Sequence, residues 1–222
     1  MEWECNNRRC RLDGERNAET VLLHLADAGE QARSTALHAE IAARTDVPFL
    51  LVSVPVSDWN RELSPWEAPP VFGSKPFGSG AGETLSFFTD ALLPGLSSEA
   101  HGKTFVLGGY SLAGLFALWA AYQTDAFWGV AAVSPSVWFP GWTDRTAASR
   151  PKAAHIYLSL GEREAHTKNA VMRRVADCIR LEHERLLADG VDSILEWNEG
   201  NHFQDVTART AKGFAWLLEE EA

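Results

Sequence analysis

The chain has 222 residues, 45% hydrophobic and 23% charged, with a formal net charge of −10. That is long enough for one well-buried core and too ordinary in composition for disorder. The acidic balance excludes a nucleic-acid partner, which needs a basic stripe, and disfavours an anionic membrane surface.

In chain order, the opening segment MEWECNNRRCRLDGERNAET is polar and lacks the apolar stretch of a secretory signal, so a cytoplasmic protein is expected. Cys5 and Cys10 lack the C-x-x-C spacing of a zinc site and read as small residues of a short hairpin. With Cys178 the count is odd, which argues against a disulfide framework. Six nearly continuous apolar runs then read as strands covered on both faces: 20–25 (TVLLHL), 49–54 (FLLVSV), 104–108 (TFVLG), 129–133 (GVAAV), 155–160 (HIYLSL) and 193–197 (SILEW). Helical patterns alternate with them at 34–44, 84–93, 112–122, 170–187 and 207–220, with Gly190 where a C-terminal cap is expected. No apolar run approaches the ~18–20 residues of a bilayer-spanning helix. Strands alternating with helices predict an α/β class, a mostly parallel central sheet with helices on both faces, in one domain over 1–222. The stretch 55–82 carries five prolines and four glycines, so regular structure is not expected there. Its Trp59, Trp66, Phe72 and Phe77 are too aromatic for disorder and point to a packed, pocket-lining loop.

The sharpest local signal is Gly108-Gly109-Tyr110-Ser111-Leu112-Ala113-Gly114, directly after one strand and directly before a helix. Strand, tight turn, serine and helix make a nucleophile elbow, whose apex strain requires small residues two before and two after the serine. Those positions hold Gly109 and Ala113, so the motif reads G-x-S-x-A. No lysine follows Gly114 as a P-loop would require, and no G-x-G-x-x-G is present.

A serine nucleophile needs a general base and an orienting acid, in the chain order Ser, acid, His. His24, His38 and His101 precede Ser111; His155 begins a strand and His183 lies in a charged helix. His202, just beyond the last strand, is the expected base. The loop after HIYLSL offers Glu162 and Glu164 as the acid, of which Glu164 is preferred. The oxyanion donors expected are the backbone N–H groups of Leu112, next to the nucleophile, and Ala26, after the first central strand.

With these residues the chain resembles the putative-esterase family of α/β hydrolases, which includes esterase D, feruloyl esterases and enterochelin esterases. The stretches that carry the resemblance are DWNRELSPWEAP (58–69), GGYSLAGLFALWA (108–120), SPSVWFPG (134–141), YLSLGERE (157–164) and EWNEGNHF (196–203). Within the family it looks like a compact bacterial branch. The resemblance implies the α/β-hydrolase fold, a serine on Ser111, a histidine on His202 and an acid on Glu164, three residues after Gly161. Two departures stand out: Ala113 replaces an elbow glycine, and His24-Leu25-Ala26 stands where relatives resemble His-Gly-x.

The expected activity is hydrolysis of a small-molecule carboxylic ester through an acyl-enzyme. A thioesterase or an acyltransferase would share the machinery, and a catalytically silent binding protein of the same fold is the rival from another class. No metal or cofactor is implied, and no H-E-x-x-H spacing exists. No insertion is large enough for a helical lid. Trp59, Trp66 and Trp138, with Phe139 and Trp142, are expected to wall the pocket, with Ser136 and Asp58 adding polar contacts. Arg163 is the one arginine expected beside the acid.

Overall fold

The computed structural model describes residues 1–97 and 102–221, so His101 lies outside the described residues. β1 (Glu2–Cys5) and β2 (Arg8–Gly14) form an antiparallel hairpin that turns at Asn6 and Asn7. Both asparagines hold positive φ (47° and 65°), the backbone that tight hairpin turns demand and that asparagine tolerates. β2 lies antiparallel to β4 (Phe49–Pro55). From there the pairing is parallel, through β3 (Thr20–Ala26), β5 (Thr104–Tyr110), β6 (Gly129–Val133), β7 (His155–Gly161) and β8 (Asp192–Asn198). The sheet order is β1-β2-β4-β3-β5-β6-β7-β8. This is the expected α/β-hydrolase architecture, and its six parallel strands are the six apolar runs.

Successive strand residues face opposite sides, and each side has its own core. Leu22, Leu51, Val106 and Ala131 pack on α2 (Ser34–Ala42) and α9 (Val206–Glu221) through Leu37, Ile41, Phe214 and Leu217. Leu23, Val52, Leu107, Ala132 and Leu158 face the other core, with α4 (Ala81–Phe87), α6 (Leu112–Gln123) and α8 (Val175–Ala188). α6 is buried nearly all round, which is why its sequence is apolar all round rather than on one stripe. Gly190 caps α8 with φ 79°, and Val191 N–H reaches back to Leu186 C=O at 3.0 Å.

Several elements depart from the expected pattern. Two five-residue helices, α1 (Ala28–Ala32) and α7 (Trp142–Thr146), are too short to leave a periodic signal. The loop expected to be irregular contains α3 (Trp59–Glu62), and an isolated antiparallel bridge joins Ala68 to Phe77. The 84–93 helix is not continuous. α4 passes into a π-helical turn at Phe88–Leu92 and then α5 (Leu93–Ser97). Pro94 has no N–H to continue an α-helical ladder, and the Leu93 N–H bonds Phe88 C=O instead. The 170–187 helix starts later, at Val175, behind a 3-10 turn at Met172–Arg174. Among the described residues, no helix is long and apolar enough to cross a membrane.

Candidate active site

β5 ends at Tyr110 and α6 begins at Leu112, leaving Ser111 alone at the turn with φ 61° and ψ −119°. A serine rarely holds such a backbone, at a cost of about 1–3 kcal/mol, and here the surroundings hold it. Ser111 N–H donates to Val133 C=O, and its C=O accepts from Leu115 N–H and Ser136 N–H, each at 3.0 Å. The turn leaves no spare volume. A Cβ on Gly109 would lie 2.6 Å from Ala113 Cβ, and one on Gly114 would lie 2.9 Å from Gly109 C=O. Ala113 is therefore accommodated because position 109 is bare.

The loops after β7 and β8 bring two more side chains to Ser111. His202 Nε2 is 3.0 Å from Ser111 Oγ, and His202 Nδ1 is 2.7 Å from Glu164 Oε2. The other carboxylate oxygen, Oε1, accepts from Gly161 N–H at 2.7 Å and Ser134 Oγ at 2.8 Å. Arg209 Nη1 lies 3.3 Å from the same oxygen. Glu164 is thus fixed on both oxygens, with a side chain only 4% exposed. Tyr110 donates its hydroxyl to His202 C=O at 2.8 Å, holding the histidine loop onto the end of β5.

Leu112, the first residue of α6, has an N–H with no acceptor inside the helix, and it directly follows Ser111. Beside the serine lies a cavity of about 330 Å³. Phe72, Trp138, Met172, Val175 and Phe203 form its apolar wall, and Ser111, Ser134, Glu164 and His202 its polar one.

The sequence profile of the family described as Putative esterase matches residues 18–195. The chain belongs to this esterase family. Its activity class is carboxylic ester hydrolysis. A comparison with curated proteins found no match. Among solved structures, the chain is similar to the siderophore hydrolase EstA from Aspergillus nidulans (18% identity, TM-score 0.67, covering 97% of this chain and 91% of that one). It is also similar to the enterochelin esterase from Shigella flexneri (17% identity, TM-score 0.72, covering 100% of this chain and 58% of that one). A third likeness is to Est1E from Butyrivibrio proteoclasticus (11% identity, TM-score 0.61, covering 100% and 98%). At these identities the likeness shows the shared fold.

Several residues expected at the site lie elsewhere. Ala26 C=O accepts from the N–H of Val56, the residue just after β4, at 2.9 Å. In an extended strand a residue's N–H and C=O point to the same side, so the Ala26 N–H also faces β4, away from β5 and Ser111. The next N–H, of Asp27, is held by Glu30 Oε2 at 3.1 Å. Trp66 does not line the cavity. Its indole donates to Pro140 C=O at 2.8 Å, stacks on Trp142 and carries the Arg145 guanidinium over its face. Trp59 packs against the core from α3, and Phe139 is buried. Trp142 is also buried, its indole donating to Glu182 at 3.1 Å. Of the tryptophans expected in the pocket, only Trp138 lines it.

The polar expectations change too. Asp58 caps α3 and pairs with Lys75. Ser136 is buried rather than lining the cavity, but its Oγ lies 3.4 Å from Ser111 Oγ. Arg163 reaches toward Gln204, at 3.4 Å. The arginine at Glu164 is Arg209, which the sequence disguised as one more charge in a terminal helix.

Proposed function

We propose that the esterase works by acyl-enzyme chemistry with Ser111 as nucleophile, His202 as general base and Glu164 as the orienting acid. The observation that carries this reading is the unbroken run from Glu164 Oε2 through His202 to Ser111 Oγ, with links of 2.7 and 3.0 Å. His202 takes the Ser111 proton on Nε2 as Oγ attacks the ester carbonyl. Glu164 holds Nδ1–H, sets the tautomer and stabilises the imidazolium. The tetrahedral oxyanion rests on the Leu112 N–H, while the Ser136 hydroxyl, 3.4 Å from Ser111 Oγ, helps to orient the attacking oxygen. His202 then returns its proton to the leaving alcohol as the ester C–O bond breaks. Water, deprotonated by the same histidine, attacks the acyl-enzyme and releases the acid and free Ser111.

The substrate is a small-molecule ester, a reading supported by the size of the cavity and by the esterase relatives. The chain acts as one α/β domain, supported by the continuous sheet. The three free thiols, Cys5, Cys10 and Cys178, support a cytoplasmic setting.

Labelling with a fluorophosphonate, read by intact mass and peptide mapping, tests the nucleophile. The expected result is one adduct on Ser111, absent in Ser111→Ala. An adduct elsewhere, or none on folded protein, overturns the assignment.

A further inference from the structure

The walls of the cavity say what kind of ester enters it. Phe72, Trp138, Met172, Val175 and Phe203 supply its apolar surface. Its polar liners belong to the Ser111–His202–Glu164 run or, as Ser134 does, are bonded to Glu164. Among the described residues, no lysine or arginine lines the cavity. Arg209, the cation nearest the acid, is buried and paired with Glu164. Arg174 lines a separate hollow bordered by Trp138, in company with Asp144. At the mouth, Phe72 is 52% exposed and Phe203 is 86% exposed. Large apolar side chains held in water around a pocket are surface that a ligand covers.

We propose that the substrate is an uncharged ester with an apolar acyl group, a single aromatic ring or a short alkyl chain. That group packs against Trp138 with Phe72 and Phe203 flanking its outer end, and anionic acyl groups are rejected. The inference rests on Ser111 being the nucleophile. A carboxylate entering this cavity would give up its water with no cation to replace it. The indole face of Trp138 carries negative quadrupole density, which favours cations over anions. The net charge of −10 adds a general repulsion. A volume of about 330 Å³ is at the lower end for small-molecule sites, which suits one ring or a short chain better than a branched polyester.

Two esters isolate the charge: p-nitrophenyl butyrate and mono-p-nitrophenyl succinate, whose acyl chains end in a methyl and a carboxylate. The expected kcat/KM ratio favours butyrate by on the order of 10²-fold, the size of effect that an unpaired charge in an apolar site produces. Phe72→Arg, an exposed change that leaves the core intact, narrows that ratio about tenfold by supplying the missing cation. Trp138→Ala lowers the ratio of p-nitrophenyl benzoate to p-nitrophenyl acetate turnover by about tenfold. Equal kcat/KM for butyrate and succinate, or a preference for succinate, overturns the proposal. Fluorophosphonate labelling run alongside separates the two claims. A labelled Ser111 without preference for the neutral ester defeats the specificity alone, whereas no label and no turnover of any ester defeats both.

Discussion

Arg209 Nη1 lies 3.3 Å from Glu164 Oε1, and neither side chain is more than 4% exposed. The same guanidinium donates to the Tyr110 hydroxyl at 3.2 Å and to Glu199 C=O at 2.6 Å. One side chain from α9 therefore ties together the end of β5, the loop after β7 and the loop after β8. Removing it leaves a carboxylate buried without its cation. Arg209→Met is expected to cost about 3–5 kcal/mol of stability and to lower kcat as Glu164 shifts. Arg209→Lys recovers only part, because an ammonium lacks the planar fork. Urea unfolding within about 1 kcal/mol of wild type for the Met variant would show that the pair is not holding the loops together.

The two glutamates of the β7 loop separate cleanly. Glu164 bonds His202, whereas Glu162 is exposed on the surface. Glu164→Gln is expected to lower kcat by on the order of 10²–10⁴-fold with little change in KM, since an amide no longer selects the right imidazole tautomer. Glu162→Gln stays within about twofold, as surface changes do. Steady-state kinetics on one activated ester ranks them, and the reverse order would move the acid to Glu162.

Ser136 is a separate case, because its Oγ lies 3.4 Å from Ser111 Oγ without lining the cavity. The two hydroxyls share one hydrogen bond beside His202. Ser136→Ala is expected to lower kcat by about tenfold while KM stays near wild type, because the hydroxyl orients Ser111 Oγ and does not reach the substrate. A rise in KM at unchanged kcat would make it a substrate contact instead.

His24 should make the fold acid-sensitive. Its imidazole is 3% exposed, with no hydrogen-bond partner on either ring nitrogen among the described residues. Burial pulls its pKa down to about 4 against the opposing field of Asp27. The unfolded chain therefore takes the proton first. His24 contributes its full stability above pH 6.5 and loses it as pH falls toward 4. Between pH 7 and pH 5 the loss is about 2 kcal/mol. His24→Leu should flatten that part of the stability profile, and an unchanged slope in urea titrations at the two pH values would assign it to another group.

Gly109→Ala tests the elbow. The new Cβ would meet Ala113 Cβ at 2.6 Å and Ala113 C at 2.8 Å, so strand and helix must part. A cost of about 1–3 kcal/mol is expected, with kcat falling further as Ser111 shifts from His202. Ala113→Gly relieves no clash and should cost about 1 kcal/mol or less in thermal melts. Equal effects of the two changes would show that the crowding is not one-sided.

The sequence by itself determined the parts that depend on neighbouring residues. Six apolar runs became six parallel strands, because strands covered on both faces must be apolar throughout. Small residues around Ser111 marked the elbow, because the clash they avoid is local. Glu164 and His202 could be placed at strand ends from chain order and loop position. The tertiary structure decided what depends on direction and distance. Trp66, Trp138 and Trp142 look alike in sequence, yet one props a loop, one lines the cavity and one is buried against Glu182. Which way the Ala26 N–H points follows from register, where one residue's slip reverses every group. Arg209 reads as a charge in a terminal helix, and only packing α9 across the sheet buries it against a carboxylate 45 residues earlier in the chain.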